Sequence, residues 1–72
     1  MARVRVTGWK PGFKKIEFNW LLRECSDLSL AERKNFVDRI LDGEVVEVDV
    51  LSCSVPEFLE RASEMGATCE SV

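Results

Sequence analysis

The sequence predicts a two-layer α+β domain in the order β-α-α-β-α-β, with a three-stranded antiparallel sheet covered on one face by three helices. Three observations carry this expectation. Residues 2–7 and 44–51 alternate valine with charged residues, the period of strands with one wet face. Residues 14–37 hold two helical periods separated by a four-residue joint. Residues 54–66 hold a third helical period between a capping serine and a glycine, and residues 68–72 make a last short strand. A sheet with one apolar face must be covered, and amphipathic helices supply the cover.

In the first strand Val4 and Val6 alternate with Arg3 and Arg5. The arginines are expected to be solubilising edge residues rather than a phosphate contact. In the loop that follows, Pro11 and Gly12 suit the central positions of a type II turn. Its glycines lack the lysine and hydroxyl that a phosphate loop requires. Trp9 and Phe13 either fold back over the core or extend an aromatic patch with Trp20.

The first helix is expected over Lys15–Cys25, where Phe18, Leu21, Leu22 and Cys25 fall at i, i+3, i+4 and i+7. At about 100° per residue, Ile16 and Trp20 point to the opposite side, beside Arg23. A helix packed on one side only has no need of a tryptophan there. Two readings stand: a contact face, or Trp20 packed under the 8–13 loop or against Trp9.

Ser29 is placed to cap the second helix, Leu30–Leu41, with Glu32 at the reciprocal position of a capping box. Phe36, Val37, Ile40 and Leu41 give its buried face, and Asp42 and Gly43 stop it. Arg33 falls inside that apolar arc, where its stem can snorkel outward. In the next strand Val46, Val48 and Val50 alternate with Glu47 and Asp49, whose carboxylates read as a solvated outer face rather than metal ligands. Ser54 and Glu57 form a second capping-box pattern, with Pro56 in the first turn. Val55, Phe58, Leu59, Ala62 and Met65 make the stripe of the third helix, and Gly66 ends it.

Seventy-two residues make one small domain, residues 1–72, with a single thin core. A hydrophobic share of 46% with 32% charged residues suits a folded chain, and the net charge of −3 gives nucleic-acid binding no general support. No apolar run nears the ~20 residues that cross a bilayer, and the arginines near the start interrupt the apolar segment of a signal peptide. A cytoplasmic location is the resulting expectation. The three cysteines are widely spaced and histidine is absent, so no metal or other cofactor is expected. Cys25, Cys53 and Cys69 are expected as reduced core thiols, with an approach of Cys69 to Cys53 left open. Without histidine, tyrosine or a nucleophile beside a base, the chain does not read as an enzyme.

The stretch KKIEFNWLLRECSDLSLAERKNFV (14–37) resembles the helical hairpin of the C-terminal domain of the bacterial ribosomal stalk protein. That family has a lysine-hydrophobic start, an arginine, and a Leu-Gly-Leu-Lys-Glu-Ala-Lys turn. Here Lys15 and Arg23 lead to Leu28-Ser29-Leu30-Ala31-Glu32-Arg33-Lys34. VPEFLERASEMGA (55–67) resembles the family's last helix, and the fold is shared broadly with the Clp protease adaptor, whose acidic signature is missing here. The resemblance implies a basic hairpin patch that recruits translation GTPases, with Lys15, Arg23 and Lys34 at matching positions. Trp20 and Ala31 stand where the family carries lysines, and Asp27 and Ser29 replace its turn glycines. Residues 1–72 hold no counterpart of its dimerisation domain and hinge, so anchoring to the ribosome in the family's way is not expected.

The expected function is therefore a stand-alone protein–protein interaction module using the outer face of the hairpin through Lys15, Ile16, Trp20, Arg23 and Lys34. The alternative is binding of a translation GTPase or another ribosome-associated factor. A homodimer is compatible with the sequence, and no membrane partner is expected. Nucleic acid, which would need Arg3, Arg5, Lys10, Lys14 and Lys15 on one side, is less favoured.

Overall fold

Alternating valines pair across the sheet and give it its apolar face. The computed structural model describes residues 2–72, with elements β1 (Ala2–Trp9), α1 (Lys15–Cys25), α2 (Leu30–Leu41), β2 (Val46–Val50), α3 (Val55–Glu64) and β3 (Ala67–Ser71). The strand order is β2-β1-β3, and β1 is antiparallel to both neighbours. Val4 lies opposite Val48 and Val6 opposite Val46, and all four are buried beneath the helices. The expected two-layer α+β architecture is the one formed.

β1 is the central strand, so Arg3 and Arg5 are not the edge residues that the sequence suggested. They stand on the wet face of the sheet among the acids of both neighbours. Arg3 Nε lies 3.0 Å from Asp49 Oδ1, and Arg5 Nε lies 3.3 Å from Glu47 Oε2. Arg5 also reaches Glu70 of β3 at 3.4 Å. Opposite charges in facing register thus occupy the side of the sheet that lacks helices.

Strand ends depart from the sequence expectation because pairing and turns set them. β1 runs past residue 7 to Trp9, through a register shift against β3 between Val6 and Gly8. β2 starts two residues later than expected. Glu44 belongs to the exit from α2, where its N–H donates to the Arg39 carbonyl and its carboxylate meets Arg39 Nε at 3.3 Å. β2 also stops before Leu51, whose N–H leaves the sheet to donate to the Cys25 carbonyl at 2.7 Å. β3 begins one residue early, at Ala67, opposite Trp9.

Helices α1 and α2 occupy their expected spans. The Ser29 hydroxyl accepts from Glu32 N–H at 3.2 Å, and Ser29 N–H donates to the Glu32 carboxylate at 2.9 Å. Donation from Ser29, its backbone N–H first and its hydroxyl second, holds the Glu32 carboxyl below its ordinary range. The second capping box forms only by half. Ser54 accepts from Glu57 N–H, but the Glu57 carboxylate lies toward Arg61 instead, at 3.9 Å. Leu41 of α2 is only partly buried, at the rim of the core.

Phe18 and Phe58 are fully buried with ring centroids 6.2 Å apart, and Phe13 folds onto Phe18 at 5.4 Å. The turn before α1 closes with Phe13 N–H on the Lys10 carbonyl, and Gly12 takes the φ of 90° that a type II turn requires. At Gly66, φ is 94° and an added Cβ would sit 3.2 Å from the Phe13 backbone, so glycine there lets the two connections close together.

The expectation of three reduced thiols is overturned. Cys25 and Cys53 form a disulfide with a Cα separation of 5.2 Å, and Cys69 is the free cysteine. The cause is the loop after β2, where Leu51 and Ser52 N–H groups both donate to the carbonyl of Cys25 at the end of α1. That anchoring delivers Cys53 to a thiol already facing the core. Burial pushes the Cys69 thiol up to about 11.

Candidate docking groove on the helical hairpin

The packing that buries one stripe of each hairpin helix determines what the opposite stripe presents. In α1, Phe18, Leu21, Leu22 and Cys25 are turned to the core, so Ile16, Asn19 and Trp20 rise along the outer side. In α2, Phe36 and Ile40 face inward, while Leu30, Lys34 and Val37 follow a second row at i, i+4 and i+7. The two rows enclose an open trough of about 360 Å³. Its α1 wall is Lys15, Ile16, Asn19 and Trp20. Its α2 wall is Leu30, Lys34 and Asp38, and Val37, only 6% exposed, forms its floor.

Three large apolar side chains stand exposed on these walls: Ile16 at 67%, Trp20 at 67% and Leu30 at 69%. Trp20 is not packed under the 8–13 loop. The aromatic pairs of that region join Trp9 to Phe13 and Phe13 to Phe18.

Arg33 braces the trough from within the hairpin. Its Nε donates to Asn19 Oδ1 at 3.0 Å and its Nη1 to the Leu28 carbonyl at 2.8 Å. The guanidinium that fell within the apolar arc of α2 therefore crosses to α1 and fixes the wall residue Asn19.

The cations divide into ion-paired and unpaired ones. Arg3, Arg5, Arg39 and Arg61 are ion-paired. Among the described residues, Lys15, Arg23 and Lys34 have no carboxylate within ion-pair distance, and all three are exposed. Of the other acids on the two helices, Glu24 pairs with Arg61 at 2.8 Å and Glu32 is held in its cap, while Glu17 makes no ion pair among the described residues. Asp38 is the acid on the trough itself.

Of the contact residues expected from the sequence, Lys15, Ile16, Trp20 and Lys34 come together on the trough. Arg23 does not line it. It lies in an adjoining depression with Trp20 and Glu24. Sequence reasoning missed Leu30, Asn19, Val37 and Asp38. The 30-34-37 spacing carries the signal, but Leu30 follows directly on the cap at Ser29 and Val37 also belongs to the core. No family model, curated protein or solved structure matches this chain, and the site rests on its own geometry.

Proposed function

We propose that this chain is a protein–protein interaction module that docks its partner on the outer face of the helical hairpin. Lys15, Ile16, Trp20, Arg23 and Lys34 are the contact residues, and Leu30 joins them. The supporting observation is that Ile16, Trp20 and Leu30, each about two-thirds exposed, line one trough instead of being scattered singly. Tryptophan and arginine are also the residue types enriched at binding hot spots. A photoactivatable residue at position 20 tests this reading in cells that make the protein. It is expected to give discrete protein adducts that the same residue at Glu60, on α3, does not. Equal adduct patterns from the two positions refute it.

A second reading keeps the activity implied by the stalk resemblance, recognition of a translation GTPase through Lys15, Arg23 and Lys34. It is supported by the lack of carboxylate partners at these cations among the described residues. Binding to purified translation GTPases should then weaken with salt. Unchanged affinity on replacing Arg23 and Lys34 together by alanine counts against it. No helix among the described residues is long and apolar enough to cross a membrane. A cytoplasmic location is proposed with this GTPase reading, and it would expose the Cys25–Cys53 bridge to reduction.

A further inference from the structure

We infer that the trough takes an amphipathic helix of another protein, with an apolar stripe seated between α1 and α2 and acidic residues along its margins. The inference rests on the docking reading above and specifies the partner's chemistry. A groove between two helices matches the cross-section of a third helix, with anchors at i, i+3 or i+4, and i+7. The lining runs over residues 15–20 of α1 and 30–38 of α2, roughly 8 and 12 Å of wall, room for about the two turns that an i to i+7 stripe spans.

The walls set the charge of that partner. Lys15 and Lys34 border the apolar residues on either side, and Arg23 lies beyond Trp20. None of the three is neutralised by a carboxylate among the described residues. A glutamate or aspartate bordering the incoming stripe meets a free ammonium, whereas a lysine there meets its like. Asp38, the single acid of the trough, calls for a basic or small residue at one end of the partner and so fixes its direction.

Other occupants fit less well. An added strand needs a free sheet edge, and those edges belong to β2 and β3 rather than to the hairpin. A proline-rich segment needs several aromatics, and the trough has only Trp20. A second copy brings one face carrying Lys15 and Lys34 against another of the same sign, with Asp38 as the acid of each trough. A bilayer surface is flat and anionic, whereas this site is concave and carries Asp38 on its wall.

The test uses the full chain, labelled with ¹⁵N, and two synthetic peptides sharing one leucine stripe at i, i+3, i+4 and i+7. One peptide carries glutamates beside the stripe and the other lysines. The acidic peptide is expected to shift amide signals of residues 15–20 and 30–38 and to bind at least about tenfold tighter than the basic one. The exposed double variant Lys15→Glu/Lys34→Glu, checked for an unchanged melting temperature, should reverse that preference. Equal binding of the two peptides, shifts mapped outside the hairpin, or an unreversed preference would overturn the proposal. So would self-association through these same signals, or co-sedimentation with phosphatidylserine vesicles without peptide binding. If position 20 still crosslinks selectively while the peptides are not distinguished, docking on this face stands and the acidic helix fails. Without selective crosslinking, both fail.

Discussion

Trp20 and Phe18 are two residues apart on one helix, and their surroundings predict opposite responses to substitution. Phe18 is fully buried against Phe13 and Phe58, so Phe18→Ala removes both packing and transfer energy and should cost about 3–5 kcal/mol. Trp20 is two-thirds exposed, and Trp20→Lys should change stability by no more than about 0.5 kcal/mol. Urea unfolding of the two variants measures both. In Trp9→Phe, which leaves Trp20 as the sole fluorophore, emission should be red-shifted and readily quenched by acrylamide. A blue-shifted, protected signal would remove Trp20 from the contact face. Glu32 gives a residue-level test by pH. Its carboxyl lies below the ordinary range because Ser29 donates to it. Its contribution is therefore fully present above the unfolded value and is lost as pH falls through the lower folded one. Glu32→Gln should remove that part of the acid destabilisation, seen as a smaller loss of melting temperature between pH 5 and about pH 3.

At the scale of elements, the caps show where local sequence is sufficient. Ser29→Ala should cost about 1 kcal/mol by thermal or chemical unfolding, because it leaves an α2 N–H without its acceptor. Glu57→Gln should leave the start of α3 unaffected, since the Glu57 side chain makes no return bond to Ser54 and that cap rests on the serine hydroxyl alone. The spans of α2 and α3 were legible because a buried stripe, a capping serine and a terminating glycine lie close together, whereas α1, with no side-chain cap, was legible from its buried stripe alone. Strand ends were less so. The extension of β1 to Trp9 depends on a register shift against β3, far along the chain, and the late start of β2 depends on Arg39 holding Glu44. The outward stripe of α1 was readable from Ile16 and Trp20 alone. The opposite wall was not, because Val37 serves both core and trough and Leu30 follows directly on the cap.

For the whole molecule, the decisive connection is the one that sequence spacing concealed. Cys25 and Cys53 are 28 residues apart with no motif between them, and only the fold, through Leu51 and Ser52 on the Cys25 carbonyl, brings them together. In a chain of this length the core is thin, and small domains gain disproportionately from a covalent tie. A loop of that length implies roughly 3–4 kcal/mol from restriction of the unfolded chain. The tie also holds the end of α1, and α1 carries Ile16 and Trp20, so the bridge supports the wall of the trough as well as global stability. The double variant Cys25→Ala/Cys53→Ala should therefore melt more than ~10 °C lower than the parent chain. In the parent, reductant should produce a comparable drop. Thiol titration should find one free sulfhydryl before reduction and three after unfolding and reduction. That single thiol, Cys69, is held protonated by burial, at about 11, and should alkylate slowly at pH 8 until the protein unfolds. Three free thiols in carefully isolated native protein, or a melting temperature indifferent to reductant, would show that the backbone contacts at Cys25 hold α1 in place without the bridge.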